Sequence, residues 1–201
     1  MSKMSKKKVI GITGSMGSGK SEISRYLRKK YPVLDCDQVN ADLLKKGNLG
    51  YEKLKKMNIV ELDLNGQIIK ESLASYMFSN EKHRKQVEAI LHPLIFDEMH
   101  KWICEQESSI VFVEMPILFE ISAQEHFDSI WCVVADLDVA LSRLQTYRNF
   151  TREQALARLV SQMNPEEKMA KSDVVLRNNS TVEQLHMQIE DALKEEKLNG
   201  D

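Results

Sequence analysis

The sequence predicts an α/β protein: a five-stranded parallel sheet with a phosphate-binding loop (P-loop), flanking helices, an inserted helical subdomain and a helical lid. Three observations carry this reading. Short apolar or β-branched runs alternate with segments of helical periodicity. The first run leads straight into a glycine-rich loop and then a helical pattern. Residues 38–107 are mostly helical in pattern and far longer than one crossover between parallel strands needs.

Taken in order, Val9-Ile10-Gly11-Ile12-Thr13 lies between lysines and glycines and reads as a buried strand. From Lys20 the pattern is helical, with Ile23, Tyr26 and Leu27 on one face. Pro32 to Asp37 reads as a second short strand ending in acids. The insertion follows, with an Asn65-Gly66 turn inside a small extended excursion over residues 59–69. His92-Pro93 is expected to start or kink a helix. Residues 109–115 and 129–135 are two more strands, rich in β-branched and aromatic side chains. Residues 143–171 form the lid, with a capping box at Thr151 and Gln154 and a helix start at Asn164-Pro165. Val174-Val175-Leu176 is the fifth strand. The last helix starts at Ser180 or Thr181, and its charged tail from Glu195 is expected to fray. The 201 residues make one domain, residues 1–201, containing the insertion and the lid.

Composition narrows the function classes. Lys plus Arg is 28 against 30 for Asp plus Glu, a net charge of −2, so no nucleic-acid partner is expected from overall charge. No apolar run approaches the roughly 18 residues of a membrane span, and no signal-peptide pattern follows the basic N-terminus; no membrane partner and a cytoplasmic location are expected. Cys36, Cys104 and Cys132 have neither zinc-type nor disulfide spacing. Cys104 and Cys132 read as packed, inert thiols, and Cys36 as accessible because it adjoins an acidic motif.

Gly14-Ser15-Met16-Gly17-Ser18-Gly19-Lys20-Ser21 fits G-x-x-x-x-G-K-[ST] at every fixed position. The spacing has a chemical reason. The first N–H groups of a helix have no intrahelical partner and point outward. Glycines let the loop wrap a phosphate without side-chain clash, and the helix dipole favours the anion. Lys20 reaches the β- and γ-phosphates, the Ser21 hydroxyl can ligate Mg²⁺, and the Glu22 N–H lies near the α-phosphate. The expected ligands are therefore a nucleoside triphosphate and Mg²⁺.

Asp35 and Asp37 close the second strand one residue apart, so on a strand they would share a side. One carboxylate could accept a proton from an acceptor hydroxyl while the other holds water on the metal. A helix N-cap for Asp37 and a surface turn for Asp35 are the bland alternative.

These residues resemble the dephospho-coenzyme A kinase family over nearly the whole chain. The resemblance rests on the phosphate loop with Gly11-Ile12-Thr13 before it, on Asp35-Cys36-Asp37, on Leu91-His92-Pro93 and on Pro116-Ile117-Leu118-Phe119-Glu120. Arg158, Gln162, Asp173 and Asn178 fall in the family's lid and adenine-contacting segments. The resemblance implies transfer of the γ-phosphoryl of ATP to the ribose 3′-hydroxyl of dephospho-coenzyme A. Asp37 would be the base, with Lys20 and a lid arginine, Arg148 or Arg143, on the phosphates. Ser21 and Asp35 would serve the metal. Asn178 would contact the nucleotide along with residues 14–22. Asp37, His92, Pro116, Leu118, Phe119 and Glu120 would meet the acceptor, and the insertion would be the acceptor-binding subdomain. Ser15 stands where the family usually has glycine, and Tyr147-Arg148 where it shows Arg-Asp. The rival readings are another small-molecule or nucleotide kinase of the same fold, and a nucleotide-gated binding protein.

Overall fold

The apolar run behind the N-terminal lysines forms β1 (Lys8–Gly14), fully buried from Ile10 on; the computed structural model describes residues 7–198. The chain then forms α1 (Lys20–Leu27), β2 (Val33–Asp35), α2 (Cys36–Leu43), α3 (Leu49–Lys56), α4 (Lys70–Ser79) and α5 (Glu81–Glu105). After these come β3 (Ile110–Glu114), β4 (Ser129–Val134), α6 (Leu137–Arg148), α7 (Arg152–Val160), α8 (Pro165–Ala170), β5 (Val174–Arg177) and α9 (Val182–Leu198). The five strands are parallel, in the order β2-β3-β1-β4-β5. β1 therefore sits between β3 and β4, with Ile12 opposite Glu114 and Thr13 opposite Cys132. Chain order changes direction at β1, and in such sheets the ligand crevice opens beyond the carboxyl ends at that point.

The described chain divides into two compact units: residues up to Leu34 together with those from Gln106 on, and Asp35–Glu105. The core of the first follows from strand alternation. Ile10, Ile12, Phe112, Trp131, Val133 and Leu176 line one face of the sheet, and Ile23 and Leu27 of α1 with Leu185 and Ile189 of α9 cover it. Phe112 meets Trp131 edge-on, with ring centroids 5.3 Å apart. Gly11 presents no side chain between these positions, and its neighbours use the space: an added Cβ would stand 2.8 Å from Leu118 Cδ1 and 3.0 Å from Phe127 Cγ.

The C-terminal end of α9 corrects the expected fraying. The helix runs to Leu198, and Glu196 is buried; residues 199–201 of the expected tail lie outside the described residues. The Glu196 carboxylate accepts from Trp131 Nε1 (2.9 Å) and from the Ser129 hydroxyl, and pairs with Lys8 Nζ at 2.7 Å. The periodic pattern shows a charged tail, but a single buried acid reaching two strands is enough to hold it.

In the second unit, Leu54, Ile59, Leu73, Val87 and Leu91 form the core. The Asn65-Gly66 turn is present: Asp63 Oδ1 accepts from the N–H groups of Asn65 and Gln67, both at 2.8 Å, and Leu62 bridges Ile68 antiparallel. His92-Pro93 does not start a helix. Pro93 lies inside the 25-residue α5, where its missing N–H leaves one carbonyl of the preceding turn without its usual donor. Cys36 is buried rather than accessible, and Cys104 is exposed rather than packed. The first begins a helix behind a cap, and the second falls in the last turn of α5.

Burial alone would raise the Glu196 carboxyl, but bonds from Lys8, Ser129 and Trp131 outweigh it and hold it below the ordinary range. A depressed carboxyl stabilises the fold fully above its unfolded value and loses that contribution as pH falls through the folded one. Glu196→Gln is expected to cost about 2 kcal/mol at pH 7, the scale of hydrogen bonds to a charged group. Denaturant unfolding of both proteins at several pH values should show the gap full above about pH 5 and closing toward more acid conditions. A gap independent of pH would contradict this account of Glu196.

Candidate active site

The phosphate loop takes its shape from three glycines with positive φ: Gly14 (147°), Gly17 (77°) and Gly19 (97°). Ser15 is not among the positive-φ residues, which is why a side chain is tolerated there. Gly19 is fixed twice over, since an added Cβ would also lie 2.0 Å from Asn178 Nδ2. It caps α1 with no side-chain hydrogen bond, so the first N–H groups of the helix stay available to an anion. Ser21 is exposed on the first turn, and Glu22 follows it. The hydroxyls of Ser15 and Ser18 are buried with no hydrogen-bond partner, which suits a loop built to meet polar oxygens.

Lys20 Nζ donates to the carbonyls of Gly14 (2.8 Å) and Ser15 (3.0 Å). Its ammonium is thus held over the loop. The Met16 N–H donates to Gln162 Oε1 at 2.9 Å, so the chain after α7 offers an oxygen to a loop amide. Beside them lies a cavity of about 410 Å³, lined by Ser15, Met16, Ser18, Leu156, Leu159 and Gln162 among others.

Two residues named from the sequence hold the loop from outside. Arg143 Nη1 approaches the carbonyls of Gly17 and Ser18 at 3.4 Å, and its Nη2 donates to Asn178 Oδ1 at 3.1 Å. Asn178 Nδ2 donates to the Ser18 carbonyl at 2.9 Å. Arg148, five residues later, is about 140° further round α6; it is exposed in the last turn, before Asn149 ends the helix in the left-handed region. The structure therefore brings Arg143 to the loop and leaves Arg148 on the solvent side. Of the other arginines in residues 143–171, Arg158 lies over the Phe150 ring at 4.8 Å and Arg152 opens α7.

The end of β3 supplies further groups. Glu114 is buried and accepts from the Ser24 hydroxyl at 2.5 Å. The Pro116 carbonyl accepts from Thr13 Oγ1 at 3.1 Å and from Lys168 Nζ at 3.0 Å. Leu118 and Phe119 are buried, and Leu118 fills the space at Gly11, which gives it a packing role. Glu120 is exposed and pairs with Lys168 at 2.8 Å.

In the second unit, Asp35 caps α2: its Oδ1 accepts from the N–H groups of Asp37 (2.9 Å) and Gln38 (3.3 Å). The strand ends at Asp35, and Asp37 already lies in the first helical turn, exposed. The expectation that both carboxylates share one side of a strand is thus corrected. His92 is half-buried on α5, and burial lowers its imidazole below the ordinary value, with Glu88 opposing.

Among the described residues no group of three or more His, Cys, Asp or Glu could hold a metal ion. Mg²⁺ in kinase sites does not need one, because phosphates and water supply most of its oxygens. The exposed hydroxyl of Ser21 fits that mode. Thr13, Ser24 and Lys168 carry no signal in the sequence that singles them out. Lys168 stands in the run Glu166-Glu167-Lys168, which reads as a solvated helix face.

A phosphate loop on the central strand of a parallel sheet, at its switch point and followed by a helix, defines a P-loop kinase fold. The chain belongs to the dephospho-CoA kinase family, whose sequence model matches residues 8–184. It is 31% identical over 183 residues to a dephospho-CoA kinase of Fusobacterium nucleatum, covering 90% of this chain and 95% of that one. It is 34% identical over 192 residues to that of Bacillus cereus, covering 92% and 96%. The structure of TT1252 from Thermus thermophilus superposes with a TM-score of 0.83 at 31% identity, covering 94% of this chain and 98% of that one. Membership brings ATP-dependent phosphorylation of dephospho-CoA, a step of coenzyme A biosynthesis. It does not favour the two rival readings.

Asn178→Ala removes the shorter of two hydrogen bonds to the Ser18 carbonyl and one partner of Arg143, whose Nη1 is left as that carbonyl's donor at 3.4 Å. A hydrogen bond lost costs about 0.5–1.5 kcal/mol, so ATP affinity is expected to fall by roughly two- to tenfold. Calorimetric titration of the folded variant with ATP checks this, and wild-type affinity would show that the loop does not depend on the clamp.

Proposed function

We propose that the chain transfers the γ-phosphoryl of ATP to the ribose 3′-hydroxyl of dephospho-coenzyme A, giving coenzyme A and ADP. The observation that carries this reading is the phosphate loop with Lys20 held over it, in a chain matched to one kinase family along most of its length. The loop amides and residues 14–22 bind the phosphates. Lys20 moves from the loop carbonyls to the β- and γ-phosphates, where its charge is most useful as negative charge shifts during transfer. The Met16 N–H exchanges the Gln162 oxygen for a phosphate oxygen. Arg143, and Arg148 on closure of the lid, add positive charge once water is excluded. Ser21, and Asp35 through water, would hold Mg²⁺, which would supply neutralisation of the phosphate charge.

Asp37 is the proposed base. A carboxylate is a weak base for a ribose hydroxyl, so it works by orienting the nucleophile and accepting the proton late, as the oxygen bonds to phosphorus. His92, depressed by burial, is neutral near pH 7 and is proposed as a hydrogen-bonding contact to the acceptor. Pro116, Phe119 and Glu120, with Leu118 packed beneath them, are proposed to form the acceptor-side loop. Asn178 is proposed to serve the nucleotide through the Ser18 carbonyl it holds. No described helix is long and apolar enough to cross a membrane, and the proposed location is the cytoplasm.

Mass spectrometry after incubation with ATP, Mg²⁺ and dephospho-coenzyme A should show coenzyme A and ADP in equal amounts; ATP consumed with the acceptor unchanged would overturn the reading. Lys20→Ala should keep the fold and lose turnover by two or more orders of magnitude, read as kcat. Asp37→Asn should lower kcat by roughly 10²–10⁴ with both substrates still bound. Asp35→Asn is a cleaner probe of charge than it first looks, because asparagine caps a helix as well as aspartate does. It should lose less activity, and added Mg²⁺ should restore part of it. An Asp35 variant deader than the Asp37 variant, with no Mg²⁺ response, would reverse the two roles.

A further inference from the structure

Lys168 has a fully buried side chain. Lysine is almost never buried so completely unless it is paired, because removing an ammonium from water costs several kcal/mol. Here Nζ has two partners, the Pro116 carbonyl at 3.0 Å and Glu120 Oε1 at 2.8 Å. They are the first and last residues of one segment, Pro116 to Glu120. Each is also tied elsewhere. The Pro116 carbonyl accepts from Thr13, the residue before the phosphate loop. Glu120 Oε1 accepts from the N–H of Met163, the neighbour of Gln162, whose side chain holds Met16 of that loop. A buried cation thus braces both ends of segment 116–120 against the strand that carries the phosphate loop and against the chain that follows the lid helix α7.

We infer that Lys168 is a positioning residue for the acceptor: it sets the segment 116–120 in the place where dephospho-coenzyme A meets the phosphate loop. The inference rests on the proposal that this segment lines the acceptor site. It adds that the segment owes its geometry to a lysine that touches neither substrate. Without the ammonium the Pro116 carbonyl keeps only Thr13, and Glu120 keeps only the Met163 N–H and is drawn toward water. The phosphate loop itself keeps Lys20, Arg143 and Asn178. The loss therefore falls on the acceptor and not on ATP.

The test is steady-state kinetics of Lys168→Met and Lys168→Arg, with folding followed by circular dichroism and ATP affinity by calorimetry. The expected result for Lys168→Met is a KM for dephospho-coenzyme A raised by about tenfold or more, since small misplacements of a bound reactant are expensive. ATP affinity should stay within about twofold, and Lys168→Arg should restore part of the KM because it keeps the charge and donors. A folded Lys168→Met protein with wild-type KM for the acceptor, or with acceptor and ATP weakened alike, overturns the inference. If Lys168→Met does not fold, Lys168→Met/Glu120→Gln leaves no unpaired charge behind and is measured against Glu120→Gln; equal acceptor KM values in those two proteins overturn it as well. Failure of the functional reading is distinguishable, because wild-type protein would then not phosphorylate dephospho-coenzyme A at all.

Discussion

A loop that binds phosphate must keep most of its backbone N–H groups available, so it can keep few of the internal hydrogen bonds that make other backbone rigid, here the Ser18 N–H to the Ser15 carbonyl at 3.2 Å. The rest of this structure supplies that rigidity through the carbonyls instead. Lys20 takes those of Gly14 and Ser15, Arg143 reaches those of Gly17 and Ser18, and Asn178 shares the last. The donors come from α1, α6 and the residue after β5. Sheet order matters for this reason: β4 and β5 lie beyond β1 on one side, so the chain leaving each of them can deliver a side chain to the loop. The loop's torsions fit the same plan, since its left-handed residues are all glycines and one of them has no room for a Cβ beside Asn178.

Around the end of β3 the contacts involve buried ionisable side chains. Glu114 is buried against Ser24, and Lys168 is buried against Glu120 and Pro116. Buried charges of this kind are weak evidence for stability, because desolvation offsets much of the attraction. Their value is geometric. A charged group with fixed partners tolerates few alternative positions, which is useful where two substrates must meet in line.

Most of the fold is legible in the sequence because its elements carry strong local signals. Continuously apolar strands, the capping box at Thr151 and Gln154, the Asn164-Pro165 start and the Asn65-Gly66 turn are all set by near neighbours in the chain. The sequence misleads where distant residues decide. Pro93 reads as a helix start or kink, yet it starts none, and the 25-residue helix runs through it with one bond missing. Glu196 reads as part of a charged tail, yet Ser129, Trp131 and Lys8 bury it. Cys36 reads as accessible beside two acids, but the cap made by Asp35 turns the chain into a helix there and buries the thiol. The candidate site shows the same division. The loop is plain from its motif, while the difference between Arg143 and Arg148 depends on which side of α6 faces the loop. Lys168 is invisible for the same reason: its partners, Glu120 and Pro116, are far away in sequence.

The central claim is that side chains outside the phosphate loop hold it in its binding shape before any nucleotide arrives. Nitrogen-15 relaxation of the loop amides in nucleotide-free protein tests this most directly. Residues 15–19 should have order parameters near about 0.85, the value of rigid backbone, and change little when ADP is added. Values below about 0.6 that rise only on ADP binding would contradict the account, and would mean that the ligand orders the loop itself.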